Sequence, residues 1–116
     1  MTVTHKLESY KTLTWQQQLG NLASTLKTIA SKTTNQQYDQ LTIQLLREGA
    51  VMIEHCISNV PTEFHLELAA MQRELLTWRS TFPIEQARHI LALHTCNQSD
   101  RLLQMAGYLI IENSYA

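Results

Sequence analysis

Trp15, Leu19, Leu22, Leu26 and Ile29 recur at steps of four, three, four and three. At about 100° per residue they stay within about 40° of one line, which predicts an amphipathic helix. Thr14 and Gln17 stand three apart just before this stripe. They have the form of a capping box, in which each side chain takes up a backbone N–H that the first helical turn leaves unpaired. The polar run Ser31-Lys32-Thr33-Thr34-Asn35 is expected to end the helix. A second helix is predicted from about Gln36 to Ile57, with Thr34 and Gln37 as a further capping pair. Its main stripe is Tyr38, Leu41, Leu45, Met52 and Cys56, while Ile43, Ala50, Val51 and Ile57 fall on other faces. A helix apolar over so much of its girth is either central in its own fold or buried against another chain.

Asn59 and Pro61 break the chain, since proline cannot continue a helical hydrogen-bond ladder. The third helix repeats the spacing of the first, through Phe64, Leu68, Met71, Leu75 and Trp78. Pro83 opens a fourth, which contains Ala87, Ile90, Leu91 and His94. Asn97-Gln98-Ser99-Asp100 reads as a short break, with Ser99 capping a fifth helix to about Asn113. One long bent helix is the alternative, because neither Gly nor Pro stands at that break. All three glycines (Gly20, Gly49, Gly107) fall inside predicted helices. No segment has strand alternation bounded by turn residues. Short connections make neighbouring helices antiparallel. The expectation is an all-α, up-and-down bundle of four to five antiparallel helices. Residues 1–116 form a single domain, with residues 1–12 a loosely ordered N-terminal arm.

Composition narrows the function classes. At 116 residues with 44% hydrophobic content, the chain has enough for one continuous core and needs no disulfide or metal for stability. Charged residues make up 16%, well under the roughly 25% of an average soluble protein, so little charge opposes self-association. A formal net charge of −1 lacks the basic excess of a general nucleic-acid binder. Cys56 and Cys96 are not closely spaced, which suits a reducing compartment rather than a disulfide framework. The N-terminal segment has no signal-type apolar run, and no stretch approaches the ~18 apolar residues of a membrane span. A cytoplasmic, non-membrane protein is expected.

The motifs of nucleotide binding, zinc proteases and serine hydrolases are absent. Two histidine-centred arrangements are the candidates for chemistry. If the fourth helix ends near Cys96, an up-down bundle brings His55, Cys56, His65, His94 and Cys96 toward one pole. A metal site there would draw on His55, His65, His94 and Cys96, which are ordinary zinc ligand types. The second candidate is Arg88-His89-Ile90-Leu91-Ala92-Leu93-His94. An Arg, a polar residue and a His a few positions on resembles the RxxxxH-type motif of HEPN domains, here with five residues between Arg88 and His94. The resemblance implies a small all-α ribonuclease, often dimeric, with Arg88 and His94 as the catalytic pair and His89 in the polar position. Chemically, His moves a proton near neutral pH and Arg holds a phosphate through its planar fork.

The favoured expectation is nevertheless non-enzymatic: a helical interaction module that self-associates or docks on a protein partner, with no cofactor. A symmetric homodimer is expected through Ile43, Ala50, Val51, Ile57, Ile110 and Ile111, the apolar residues left off the main stripes. The HEPN-like ribonuclease and the metal-binding bundle are the alternatives.

Overall fold

The computed structural model describes residues 8–109. The Thr14 hydroxyl accepts the Gln17 N–H at 3.1 Å, and the Gln17 side chain accepts the Thr14 N–H at 3.0 Å. The expected capping box therefore opens α1, Trp15–Lys32. Upstream, residues 8–11 are already helical and Tyr10 is buried. Its hydroxyl donates to the Gln18 carbonyl at 3.1 Å while the Gln18 amide donates back to the Tyr10 carbonyl at 3.0 Å. Within the segment expected as a loose arm, Tyr10 is thus anchored on α1 while Glu8, Ser9, Lys11 and Thr12 are exposed; residues 1–7 lie outside the described residues.

A short turn, Gln36–Tyr38, leads into α2, Asp39–Cys56. The cap of that turn is Asn35, not Thr34, because its side chain reaches the Gln37 N–H two residues on at 3.0 Å. The turn Thr62–Phe64 precedes α3, His65–Thr81, and the turn Glu85–Ala87 precedes α4, Arg88–Ala106. The predicted break at Asn97–Asp100 does not occur, and α4 runs through it. The polar residues there serve tertiary contacts instead. Gln98 reaches Glu74, Ser99 donates to the Ala23 carbonyl at 2.7 Å, and Asp100 faces Lys27. The fifth helix is therefore the second half of α4, and it ends at Ala106 rather than near Asn113. Gly107, expected inside a helix, terminates it: its φ of +83° is left-handed, and the Tyr108 N–H turns back to the Leu103 carbonyl. Glycine suits that position because it has no Cβ to clash there.

Among the described residues there are no strands, and the four long helices run up, down, up, down. α1 packs closely on both α4 and α2, and α2 on α3. The backbones of α3 and α4 stand further apart than those three pairs, and long side chains bridge them. The core is built from Leu19, Leu22, Leu26 and Ile29 of α1, Leu68, Met71 and Leu75 of α3, and Leu91 and Leu102 of α4. The stripes predicted for α1 and α3 are the ones buried, with Trp15, Phe64 and Trp78 packed half-buried at their ends.

The α2 stripe is corrected. Met52 and Cys56 of the expected stripe are buried and Leu45 packs half-buried on the core, but Leu41 is exposed and Thr42, Leu46, Gly49 and Ile53 take the other core-facing positions. α2 lies between α1 and α3, so it needs small residues where the helices come closest. A Cβ on Gly49 would meet Leu75 at 3.1 Å and Leu26 at 3.6 Å. This central position uses the apolar girth of α2 inside the chain. Ala50, expected on an interface, is buried in the core, and Ile57 packs against it half-buried; Ile43 and Val51 are also half-buried. Ile110 and Ile111 lie outside the described residues. No helix among the described residues is long and apolar enough to cross a membrane.

Candidate functional site

The wider spacing of α3 and α4 opens a cleft of about 240 Å³, lined by Ala70 and Met71 beneath a polar rim. Glu67 and Glu74 are seven apart on α3, and His94 and Arg101 are seven apart on α4. On antiparallel helices each pair presents one flank to the other. Arg101 forks onto Glu67 with bonds of 2.7 and 3.0 Å and lies 5.7 Å from the centre of the Phe64 ring. The bond from Glu67 raises the Arg101 pKa further above the ordinary arginine value. His94 Nε2 donates to Glu74 at 3.0 Å, and the buried Gln98 amide donates to the other Glu74 oxygen at 3.1 Å.

Each rim charge of the cleft thus has a partner, and its lining is chiefly apolar. The margins of the cleft point the same way. Ile90 lies one turn before His94 on the same flank of α4, and Leu93 borders it; they are 62% and 64% exposed. On α3, Leu66 lies one turn before the cleft residue Ala70 and is 88% exposed. The heptad spacing of opposite charges on the third and fourth helices was a sequence signal for this seam, but it was masked by the expected break in α4.

The residues expected to carry chemistry are not brought together. Arg88 is buried and held at the α1–α2 end of the bundle, where it bonds to Asp39, Glu85 and the Thr33 carbonyl. His94 faces α3. On one continuous helix the two point about 120° apart, so they do not form a catalytic pair, and His89 is exposed on another flank. The arginine fork, which a phosphate would need, is taken by carboxylates and a carbonyl.

The His/Cys pole is not assembled either, because it required the fourth helix to end near Cys96. In the continuous α4, His94 binds Glu74 and Cys96 turns to Lys27, while His65 donates to the Val60 carbonyl at 2.7 Å and His55 lies half-buried on α2. Among the described residues no group of three or more His, Cys, Asp or Glu is placed to hold a metal ion. Sequence reasoning missed the contact between Lys27 Nζ and Cys96 Sγ, 3.2 Å. They are 69 positions apart, and only the packing of α1 on α4 joins them.

Compared with protein families, curated proteins and solved structures, the chain has no match among any of the three.

Proposed function

We propose that this protein is a non-enzymatic helical interaction module that acts by self-association, two copies meeting across their α3–α4 faces. The observation that carries this reading is the exposure of Ile90 and Leu93 beside a cleft floored by Ala70 and Met71. Large aliphatic side chains that flank an apolar recess suit a self-complementary contact, in which each copy supplies both the knob and the hole. A net charge of −1 puts little long-range repulsion between copies. The half-buried residues of α2 are a poorer surface for this purpose, since packing between α1 and α3 already covers much of them. Cys56 and Cys96 are both free, which supports a cytoplasmic setting.

Sedimentation velocity across a concentration series tests the proposal. The wild-type chain of 13.3 kDa is expected to show a concentration-dependent dimer. The double variant Ile90→Glu/Leu93→Glu is expected to stay monomeric with unchanged circular dichroism, whereas Val51→Glu on α2 leaves the dimer intact. A wild-type monomer at every concentration overturns self-association. A dimer lost in Val51→Glu and kept in the double variant moves the interface to α2 and overturns the assignment of this face.

A further inference from the structure

Lys27 and Cys96 face each other across the α1–α4 contact, Nζ to Sγ 3.2 Å, and Asp100, one turn beyond Cys96, stands 3.8 Å from the same nitrogen. The two helices are pinned on either side of this pair. Ser99 bonds to the Ala23 carbonyl toward one end, and Arg88 bonds to the Thr33 carbonyl toward the other. The backbones that carry the lysine ammonium and the thiol are therefore fixed side by side, which keeps the two side chains within reach of each other. Lys27 is 55% exposed at its side chain and Cys96 is half-buried, so small solutes reach the pair. Cys56 is the opposite case, fully buried in the core, where desolvation pushes its pKa up.

We propose that Lys27 and Cys96 form an oxidative modification site, at which peroxide oxidation of Cys96 is captured by Lys27 as a covalent sulfur–nitrogen link between α1 and α4. The thiolate is the attacking form of cysteine. Its sulfur attacks one oxygen of hydrogen peroxide, the O–O bond breaks, and the leaving hydroxide takes a proton to become water. Sulfur has then lost two electrons and is a sulfenic acid, a species that condenses with nitrogen nucleophiles. Cys96 holds the Lys27 pKa above the ordinary lysine value, mainly through their hydrogen bond. Oxidation to neutral sulfenic acid removes the sulfur's share of that influence while Asp100 keeps its smaller one, and the half-exposed ammonium exchanges a proton with solvent to give the free amine. The free amine attacks sulfur, the S–O bond breaks, and the departing hydroxide takes the second amine proton as water. The product is a sulfenamide, and the chain has lost two hydrogens overall. Two equivalents of a small thiol reverse it: one cleaves the S–N bond and the amine regains its proton, then the second resolves the mixed disulfide.

The test is peptide mapping by mass spectrometry of the full chain after hydrogen peroxide treatment and capping of remaining thiols. The expected product is a single chain with no covalent link to a second copy, lighter by two hydrogens. Its Lys27 resists trypsin and its Lys27 and Cys96 peptides are joined, and dithiothreitol restores the starting mass. Lys27→Arg keeps a cation beside the sulfur and is expected to abolish the link while leaving the helical circular dichroism unchanged. Cys96→Ser is expected to abolish it as well. Oxidation of Cys96 only to sulfinic or sulfonic acid, an intermolecular disulfide in place of the link, or a link that survives Lys27→Arg overturns the proposal.

Discussion

Arg88 grips Asp39 across 49 positions of sequence with two hydrogen bonds of 2.7 and 3.1 Å, and so ties the start of α4 to the start of α2. The same guanidinium bonds to Glu85 at 2.6 Å and to the Thr33 carbonyl at 2.9 Å, and lies 5.3 Å from the centre of the Phe82 ring. One side chain thus fastens three of the four long helices described, α1, α2 and α4, at one end of the bundle.

Burial separates this pair from its counterpart at the cleft. The Arg88 and Asp39 side chains are 6% and 21% exposed, against 40% and 42% for Arg101 and Glu67. Arg88→Met is expected to lower the thermal midpoint by roughly 5–10 °C, because it strands Asp39 and the Thr33 carbonyl without their partner. Arg101→Ala is expected to cost no more than about 1 kcal/mol, since water and salt screen an exposed pair. Thermal melts of the two variants side by side check the contrast.

Acid should weaken the same fastening. The Arg88 hydrogen bonds hold the Asp39 and Glu85 carboxyls below their ordinary 3.8 and 4.5. The folded state therefore binds fewer protons than the unfolded one in that range, and stability rises with pH there. The contribution is complete above the ordinary carboxylate values and is lost as pH falls through them toward the lower folded values. Glu85, the more exposed of the two, contributes the smaller share. Urea unfolding at pH 7, 5, 4 and 3 is expected to show a steeper acid loss in the wild type than in Arg88→Met.

Ser99 bridges α4 to α1 through a buried hydroxyl. Ser99→Ala is expected to destabilise the fold by about 1 kcal/mol. That is the low end for a buried bond, because the Ala23 carbonyl still has its own helical partner to accept. Chemical denaturation measures the difference, and an unchanged midpoint would count against the bridge.

The two glycines at opposite extremes of crowding predict different failures. Gly49→Val drives methyl groups into Leu75 and Leu26 and is expected to cost about 2 kcal/mol or more by overpacking. Gly107 has open space around it but a φ of +83°. Gly107→Ala is expected to cost about 1 kcal/mol from backbone strain alone. Equal denaturation midpoints for Gly49→Val and the wild type would mean that α2 does not approach its neighbours so closely.

Local signals in the chain located most of the helices. The Thr14–Gln17 box and the four-three spacing of leucines marked α1 and its buried face, because both depend only on residues within a turn or two of each other. The same logic failed in part on α2. Met52 and Cys56 are buried as expected, but hydrophobicity favoured Leu41, whereas the core took Thr42 and Gly49 because two neighbouring helices press on that line. It also failed at Asn97–Asp100, where polar residues looked like a loop and instead served contacts to α3 and α1.

By itself, then, the sequence determined the helical class, the up-and-down order and the core faces of α1 and α3, since periodicity, caps and short connections are local physics. Tertiary structure alone decided that α4 is continuous, and that Arg88 and His94 serve different flanks. It also decided that the cleft lies between α3 and α4, and that Lys27 meets Cys96. Each of these rests on pairs at least twenty positions apart, or on a helix face chosen by such pairs, and no local rule encodes which distant side chain will arrive.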